Sequence, residues 1–203
     1  KHKHKLANNL KDTKKAKNKH TEDQNEGKKE TQTKSISQIK FRALNVNGIG
    51  AQQKREKLLK RLNGIKDDFI ILVDTRLKGE SLKRAKTYWT GNIHSSINDR
   101  PNSSGGILIL AKRGLDIIPR ESGQDSTKLG RMAWEIYEIR GHKMLVMGIY
   151  GPPEGGEDAK NATFFEEEVF EVLDNETYDN VVIVGDWNVF LDTEKDQKNY
   201  KQP

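Results

Sequence analysis

The chain has 203 residues, a length that suits one domain with a single hydrophobic core. It contains no cysteine, which excludes disulfides, thiolate catalysis and cysteine-ligated zinc sites. Its formal net charge of +6 is unevenly distributed, because residues 1–40 carry 12 lysines and five acidic residues and the remainder has a net charge of −1. The overall charge therefore says little about what the body of the chain binds. No apolar run approaches the length of a membrane span, so we expect no membrane association.

Residues 1–37 consist mainly of Lys, Asn, Thr, Gln and Glu, with almost no aliphatic side chains. Such a composition buries too little apolar surface to offset the entropy lost on folding, so we predict a disordered basic tail or linker. A nuclear-import or nucleic-acid-contacting arm is the alternative interpretation of its Lys-rich blocks. The chain begins at Lys1 and not at Met, and we expect a fragment of a longer protein.

The first half of the body alternates between strand and helix patterns. Residues 39–46 predict a strand that ends at Asn47-Gly48, and residues 54–62 carry leucines at helical spacing, with the charged side chains expected on the solvent-exposed face. The unbroken apolar run at 69–73 predicts a buried strand that ends on Asp74. After a polar loop and two glycines, residues 107–110 predict another strand.

The second half predicts a hairpin, a helix and a last strand. Residues 131–140 and 143–150 are joined by the turn Gly141-His142 and predict an antiparallel pair. Residues 161–174 predict a helix with acidic side chains near its start. Residues 181–184 run into Gly185 and predict a buried strand, after which an extended segment would place Asp186 and Asn188 on one side and Trp187 in the core.

Polar side chains follow the ends of several of these strands. If the ends meet at one edge of two packed sheets, a single cleft collects carboxylates, carboxamides and a phenol. Such oxygen donors suit a hard cation such as Mg²⁺ or Mn²⁺, and they suit phosphoester hydrolysis by a carboxylate-activated water. Each residue could instead satisfy the backbone of an ordinary turn. The residues concerned are Asn45, Asn47, Asp74, Tyr150, Asp186 and Asn188.

Five motifs in a fixed order resemble the endonuclease/exonuclease/phosphatase superfamily: L-N-V-N-G (44–48), V-D-T-R (73–76), S-G-G-I (104–107), I-Y-G-P-P (149–153) and G-D-W-N (185–188). The chain looks most like the apurinic-type endonuclease domain of non-LTR (LINE-type) retrotransposons. The resemblance implies a four-layer α/β sandwich, two mainly antiparallel sheets flanked by helices. It also implies Mg²⁺- or Mn²⁺-dependent nicking of duplex DNA by an intracellular, nuclear protein continuous with a reverse transcriptase.

The resemblance implies that three residues serve the metal ion. Asp74 stands at the position of the principal metal-binding Glu, Asn45 would lie near the metal and the nucleophile, and Asn47 would belong to the outer shell of the metal. Asp is one methylene shorter than Glu, so either the strand shifts or the affinity for the metal falls.

The resemblance also implies catalytic roles. Tyr150 corresponds to the tyrosine that contacts the scissile phosphate. Asp186 would orient and deprotonate the attacking water, Asn188 would stabilise the pentacovalent phosphate, and Asn45 would lie beside the nucleophile.

The last catalytic motif of the superfamily, an Asp-His pair on a late strand, would fall beyond Pro203. We therefore expect a domain over residues 38–203 that is incomplete at its C-terminus and weakly active or inactive by itself. Two alternatives stay open: a phosphatase or phosphodiesterase for a small phosphorylated substrate, and a degenerate binding module that kept the fold and lost the chemistry. Thr75, Arg76 and Ser104 are interpreted as structural or peripheral.

Overall fold

The structure is a computed structural model that describes residues 38–100, 103–152 and 161–189, with backbone alone at 161 and 162. The tail predicted at residues 1–37 lies outside the described residues. In chain order the elements are β1 (Phe41–Asn45), α1 (Gln52–Asn63), β2 (Phe69–Val73), α2 (Gly79–Tyr88), β3 (Asn92–Ser96), β4 (Ile107–Ala111), β5 (Ile118–Gln124), β6 (Met132–Ile139), β7 (His142–Tyr150), α3 (Asn161–Phe164), a π-helical turn (Phe165–Val169), α4 (Phe170–Asn175) and β8 (Asn180–Asp186).

The strands form two four-stranded sheets. The first has the order β1-β2-β4-β3 and the second the order β5-β6-β7-β8. In each sheet one pair is parallel, β1 with β2 and β7 with β8, and the other pairs are antiparallel. The predicted class, two packed and mainly antiparallel sheets flanked by helices, is therefore confirmed.

The two sheets pack face to face around an aromatic cluster. Phe69 of β2 stacks on Phe41 of β1 with ring centroids 5.1 Å apart, and its edge meets Tyr137 of β6 in the other sheet at 5.0 Å. All five residues of β2 are buried, because one face of this strand lies against the second sheet and the other lies under the helices. Burial, and then the neighbouring Glu135, raise the pKa of the Tyr137 phenol, which therefore stays neutral.

Helices cover the outer face of each sheet. Leu59 and Leu62 of α1 and Ala85 of α2 pack on the first sheet, and Val169 of the π-helical turn packs on the second. The prediction that the charged residues of α1 face solvent is wrong for Arg55, which is 2% exposed. Its Nη1 donates to the carbonyl oxygens of residues 49 and 50 at 3.1 and 2.6 Å and so holds the loop before the helix.

Several elements differ from the sequence-based prediction. The hairpin of β6 and β7 is confirmed, with Ile139 paired to His142 across its turn. Strand β5 was not predicted, since its sequence I-P-R-E-S-G-Q lies exposed at a sheet edge and carries no apolar alternation. Among the described residues, no helix is both long enough and apolar enough to span a bilayer.

Candidate active site

The site forms where strand ends from the two sheets meet. Strands β1 and β2 run parallel, as do β7 and β8, so the carboxyl ends of each pair lie at the same edge. The register sets Asn45 opposite Val73, next to Asp74, and Tyr150 opposite Asp186. A hydrogen bond of 2.8 Å from Asn45 Nδ2 to Asp186 Oδ2 joins the two edges across 141 residues of sequence.

Two glycines let the backbones of β7 and β8 close together at this edge. A Cβ atom on Gly185 would lie 1.9 Å from the carbonyl oxygen of Ile149, and one on Gly151 would lie 2.0 Å from that of Trp187. Neither distance is compatible with a side chain. The glycines of the G-D-W-N and Y-G-P-P motifs are therefore required by the same close approach, which brings Tyr150 beside Asp186.

Gly151→Ala is expected to destabilise the protein by about 1–3 kcal/mol, because the added methyl group must push backbone away from backbone. Urea denaturation measures the loss. Gly64→Ala is the matched control, since a Cβ at Gly64 would meet its nearest atom at an ordinary 3.4 Å and its φ of −82° suits alanine. Equal stability of the two variants would contradict the close approach.

Asp186 is held through both carboxylate oxygens. Besides the bond from Asn45, the backbone N–H of Asn188 donates to Asp186 Oδ1 at 3.2 Å. Asn188 Nδ2 in turn donates to the carbonyl oxygen of Gly151 at 2.7 Å. These hydrogen bonds fix the orientation of the Asp186 carboxylate, and a carboxylate held in this way can accept a proton from water.

The segment after Asp186 does not stay extended. The strand ends at Asp186, and Asn188 has a φ of 49°, so the extended conformation from which the placement of these two residues was predicted does not continue to Asn188. Trp187 was predicted to pack in the core. It is 40% exposed instead, and it stacks on Phe165 with ring centroids 5.4 Å apart.

Asp74 is 2% exposed and carries an ion pair that the sequence analysis missed. Arg76 Nε donates to its Oδ1 at 3.0 Å and Arg76 Nη2 to its Oδ2 at 2.7 Å, while the N–H of Gly105 also donates to Oδ1 at 2.9 Å. Arg76 Nη2 donates further to Asn47 Oδ1 at 2.9 Å. The hydrogen bond to Asp74 raises the pKa of Arg76, which is permanently charged.

Arg76 was interpreted from sequence as structural or peripheral, yet its side chain contacts two residues of the predicted site, Asp74 and Asn47. The available signal was a basic residue two positions after a strand-ending acid. In an extended loop that spacing would place the two side chains on one side, but it would not by itself form a forked ion pair. The loop is not extended here, since Asp74 and Arg76 both adopt positive φ, 54° and 51°.

Two further positive side chains contact residues of the predicted site. The Arg131 guanidinium lies over the ring of Tyr150 at 5.1 Å and donates to the carbonyl oxygen of Gly151 at 3.3 Å. Lys54 Nζ donates to the carbonyl oxygens of Val46 and Asn47 at 2.9 and 3.1 Å. With Arg76, three positive side chains therefore contact residues of the predicted site, and positive charge favours binding of an anion such as a phosphate.

The donor types in this site suit Mg²⁺, but their arrangement does not. Asp74 is engaged by Arg76 on both oxygens, Asp186 accepts two hydrogen bonds, and the side-chain oxygens of Asn45 and Asn47 also accept N–H donors. Within the described ranges, no group of three or more His, Cys, Asp or Glu side chains could hold a metal ion. The residues as arranged do not fit a divalent ion, and the metal roles of Asp74, Asn45 and Asn47 stay predictions.

Comparison with known proteins gives a result at the level of the fold. No protein-family profile and no curated protein sequence matches the chain. Among solved structures it is similar to D. rerio TDP2 complexed with single strand DNA product, with 16% identity over 78% of this chain and 64% of that one and a TM-score of 0.56. It is also similar to a humanized D. rerio TDP2, with 17% identity, coverage of 79% and 66%, and a TM-score of 0.54.

A third similar structure is a beta toxin from Staphylococcus aureus, with 14% identity, coverage of 75% and 66%, and a TM-score of 0.52. The chain spans about two thirds of the length of the three solved chains. At these identities the likeness shows the fold alone, and it does not bear on the predicted kinship with retrotransposons.

Proposed function

We propose that this domain hydrolyses phosphodiester bonds in DNA, with Asp186 as the base that activates the attacking water. The observation that carries the proposal is the Asp186 carboxylate, which Asn45 orients from the opposite sheet beside the cations of the site. Carboxylates that only satisfy turns need no such partner from another sheet. A fixed proton acceptor next to an anion-binding surface is what hydrolysis of a phosphodiester requires.

In this mechanism the side chains of the chain bind, orient and move protons. The positive charges of Arg76 and Arg131 attract the phosphate, and Tyr150 and Asn188 donate to its oxygens as negative charge develops there. Asp186 accepts one proton of the water while the water oxygen bonds to phosphorus and the bond from phosphorus to the leaving oxygen of the DNA strand breaks. From the motif resemblance we also propose that the activity depends on Mg²⁺ or Mn²⁺.

The biological setting is proposed from the order of the five motifs. The domain would nick duplex DNA as part of a retrotransposon protein that is continuous with a reverse transcriptase and acts in the nucleus. The fold-level comparisons offer only general support, since one of the solved TDP2 structures contains a single strand DNA product.

Nicking of supercoiled plasmid tests the proposal, with p-nitrophenyl phosphate as the competing small substrate. The assay is run with Mg²⁺, with Mn²⁺ and with EDTA, on this chain and on a longer one that continues past Pro203. Cleavage of the plasmid in preference to the small ester supports a nuclease. The reverse preference would assign the site to a phosphatase that acts on small phosphorylated substrates.

A binding module without chemistry is the second candidate, favoured by one observation. Arg76 engages both oxygens of Asp74, the residue expected to serve a metal ion. If Arg76 supplies the positive charge at Asp74 in place of a metal ion, the site can bind phosphate without being able to cleave it. Tight, salt-dependent binding of DNA with no cleavage by either chain would support this candidate over the nuclease.

Removal of residues 1–37 is expected to weaken DNA binding about tenfold or more at low salt and to flatten its salt dependence, because the segment carries 11 lysines and five acidic residues. Fluorescence anisotropy against a labelled duplex at several salt concentrations measures both effects. The control replaces the segment by an uncharged one of equal length. The melting temperature should not change, and a large decrease would show that the segment belongs to the folded domain.

A further inference from the structure

We propose that the Arg76 guanidinium takes the cation position of this site, and that a divalent metal ion binds to Asp74 and Asn47 only after Arg76 has left. The inference concerns cation binding, so it goes beyond the proposed function and holds whether or not the site cleaves DNA. It follows from the mismatch between the expected metal ligands and the contacts that those ligands make.

The guanidinium contacts the oxygens that a hard cation would require. It reaches Asp74 Oδ1 and Oδ2 at 3.0 and 2.7 Å through two different nitrogens, the forked geometry in which arginine binds carboxylates. A third bond of 2.9 Å joins it to Asn47 Oδ1. Arg76 therefore bridges two of the three residues that the motif resemblance assigns to the metal.

The surrounding backbone leaves room for this side chain. Arg76 Cδ lies 3.1 Å from the position of a Cβ on Gly48, with Nε and Cγ at 3.7 and 3.8 Å. Gly48 has a φ of 73° and no side chain, so the aliphatic part of Arg76 passes over it. The glycine of L-N-V-N-G thus accommodates the arginine of V-D-T-R.

Electrostatics makes the two cations mutually exclusive. The Asp74 side chain is only 4% exposed, and a carboxylate so buried needs a positive partner, which Arg76 supplies. A divalent ion on the same oxygens would lie a few ångströms from the guanidinium and would be repelled by it. The Arg76 side chain is 44% exposed and can move into solvent, so exchange does not require the core to open.

Titration of the 203-residue chain with Mn²⁺, followed by the EPR signal of the free ion, tests the inference. Arg76→Gln is expected to bind Mn²⁺ at least about tenfold more tightly than the wild type, because the competing charge is gone. Arg76→Lys keeps that charge and should gain little. The double variant Asp74→Asn with Arg76→Gln should lose the gain, which assigns the bound ion to Asp74.

Arg61→Gln is the matched control, since it removes a positive charge from an exposed position on α1. Thermal unfolding with and without Mn²⁺ gives a second readout, because an ion that binds the folded state raises the melting temperature. Arg76→Gln should be stabilised by Mn²⁺ more than the wild type, and Arg76→Ala serves the same purpose if the glutamine variant does not fold. Equal Mn²⁺ affinity and equal thermal shifts in the wild type and the Arg76 variants would overturn the inference, as would a gain that survives Asp74→Asn.

Discussion

Asp186→Asn is expected to lower the rate of phosphodiester cleavage by about 10²–10⁴-fold, because an amide cannot accept the proton that the proposed mechanism assigns to this carboxylate. The substitution keeps the shape of the side chain. It also keeps one oxygen to accept a hydrogen bond from either Asn45 or the backbone of Asn188. Plasmid nicking under single-turnover conditions measures the chemical step, and the prediction rests on the proposed activity.

Asp179→Asn is the matched control for this experiment. Asp179 directly precedes the same strand at its opposite end, where its carboxylate accepts a bond of 2.7 Å from the N–H of Lys143. This variant loses the same charge at the far end of β8 and should cleave at the wild-type rate. Equal rates for the Asp186 variant and the wild type would remove Asp186 from the mechanism, and slowing by both variants would point to a general effect of charge.

The sequence predicts the candidate site in part. The residues that it singled out do come together, since Asn45 bonds Asp186 and Tyr150 lies opposite Asp186 in the register. These positions lie at the ends of strands whose apolar residues are readable from sequence. The prediction of a buried strand at residues 181–184 is wrong, because β8 lies at the edge of its sheet and contains no buried residue. The catalytic and metal roles of the same residues remain predictions, because hydrogen bonds and register do not test a chemical role.

The contacts of Arg76 could not be predicted from sequence, because they depend on the backbone conformation of the loop around it. Arg76 lies in a loop where φ is positive at Asp74 and again at Arg76 itself. Arginine has no special preference for positive φ, so the motif V-D-T-R does not predict this conformation.

Edge strands and buried charges were also hard to predict. Strand β5 lies exposed at the edge of the second sheet, where it pairs with β6. Its sequence shows no alternation of apolar residues that would have predicted a strand. Arg55 lies on a helix face that its charge suggested was solvated, and its burial depends on backbone carbonyls of the preceding loop. Both the pairing of β5 and the burial of Arg55 depend on contacts with other parts of the chain. The periodicity of apolar residues within a segment does not predict such contacts.

Phe69→Ala is expected to destabilise the protein by about 3–5 kcal/mol, because it removes a fully buried ring from between the two sheets and leaves a cavity there. The ring contacts Phe41 in its own sheet and Tyr137 in the facing one, so collapse around the vacancy would require the sheets to move. Urea or thermal denaturation measures the loss. Phe170→Ala is the matched control, since Phe170 is 52% exposed and its truncation should cost far less.

The same variant separates the stability of the sandwich from the chemistry at its edge. Phe69 pairs with Phe41 at the start of the parallel strands, about 13 Å along the strand from Asn45 by the rise per residue of a β-strand. Well below its melting temperature, Phe69→Ala should therefore cleave at nearly the wild-type rate, whereas Asp186→Asn should be stable and slow. A stable Phe69→Ala protein would contradict the aromatic packing between the sheets. A Phe69→Ala protein that is folded but inactive would show that the aromatic packing controls the contact between Asn45 and Asp186. The packing of the core would then affect the site in spite of the distance between them.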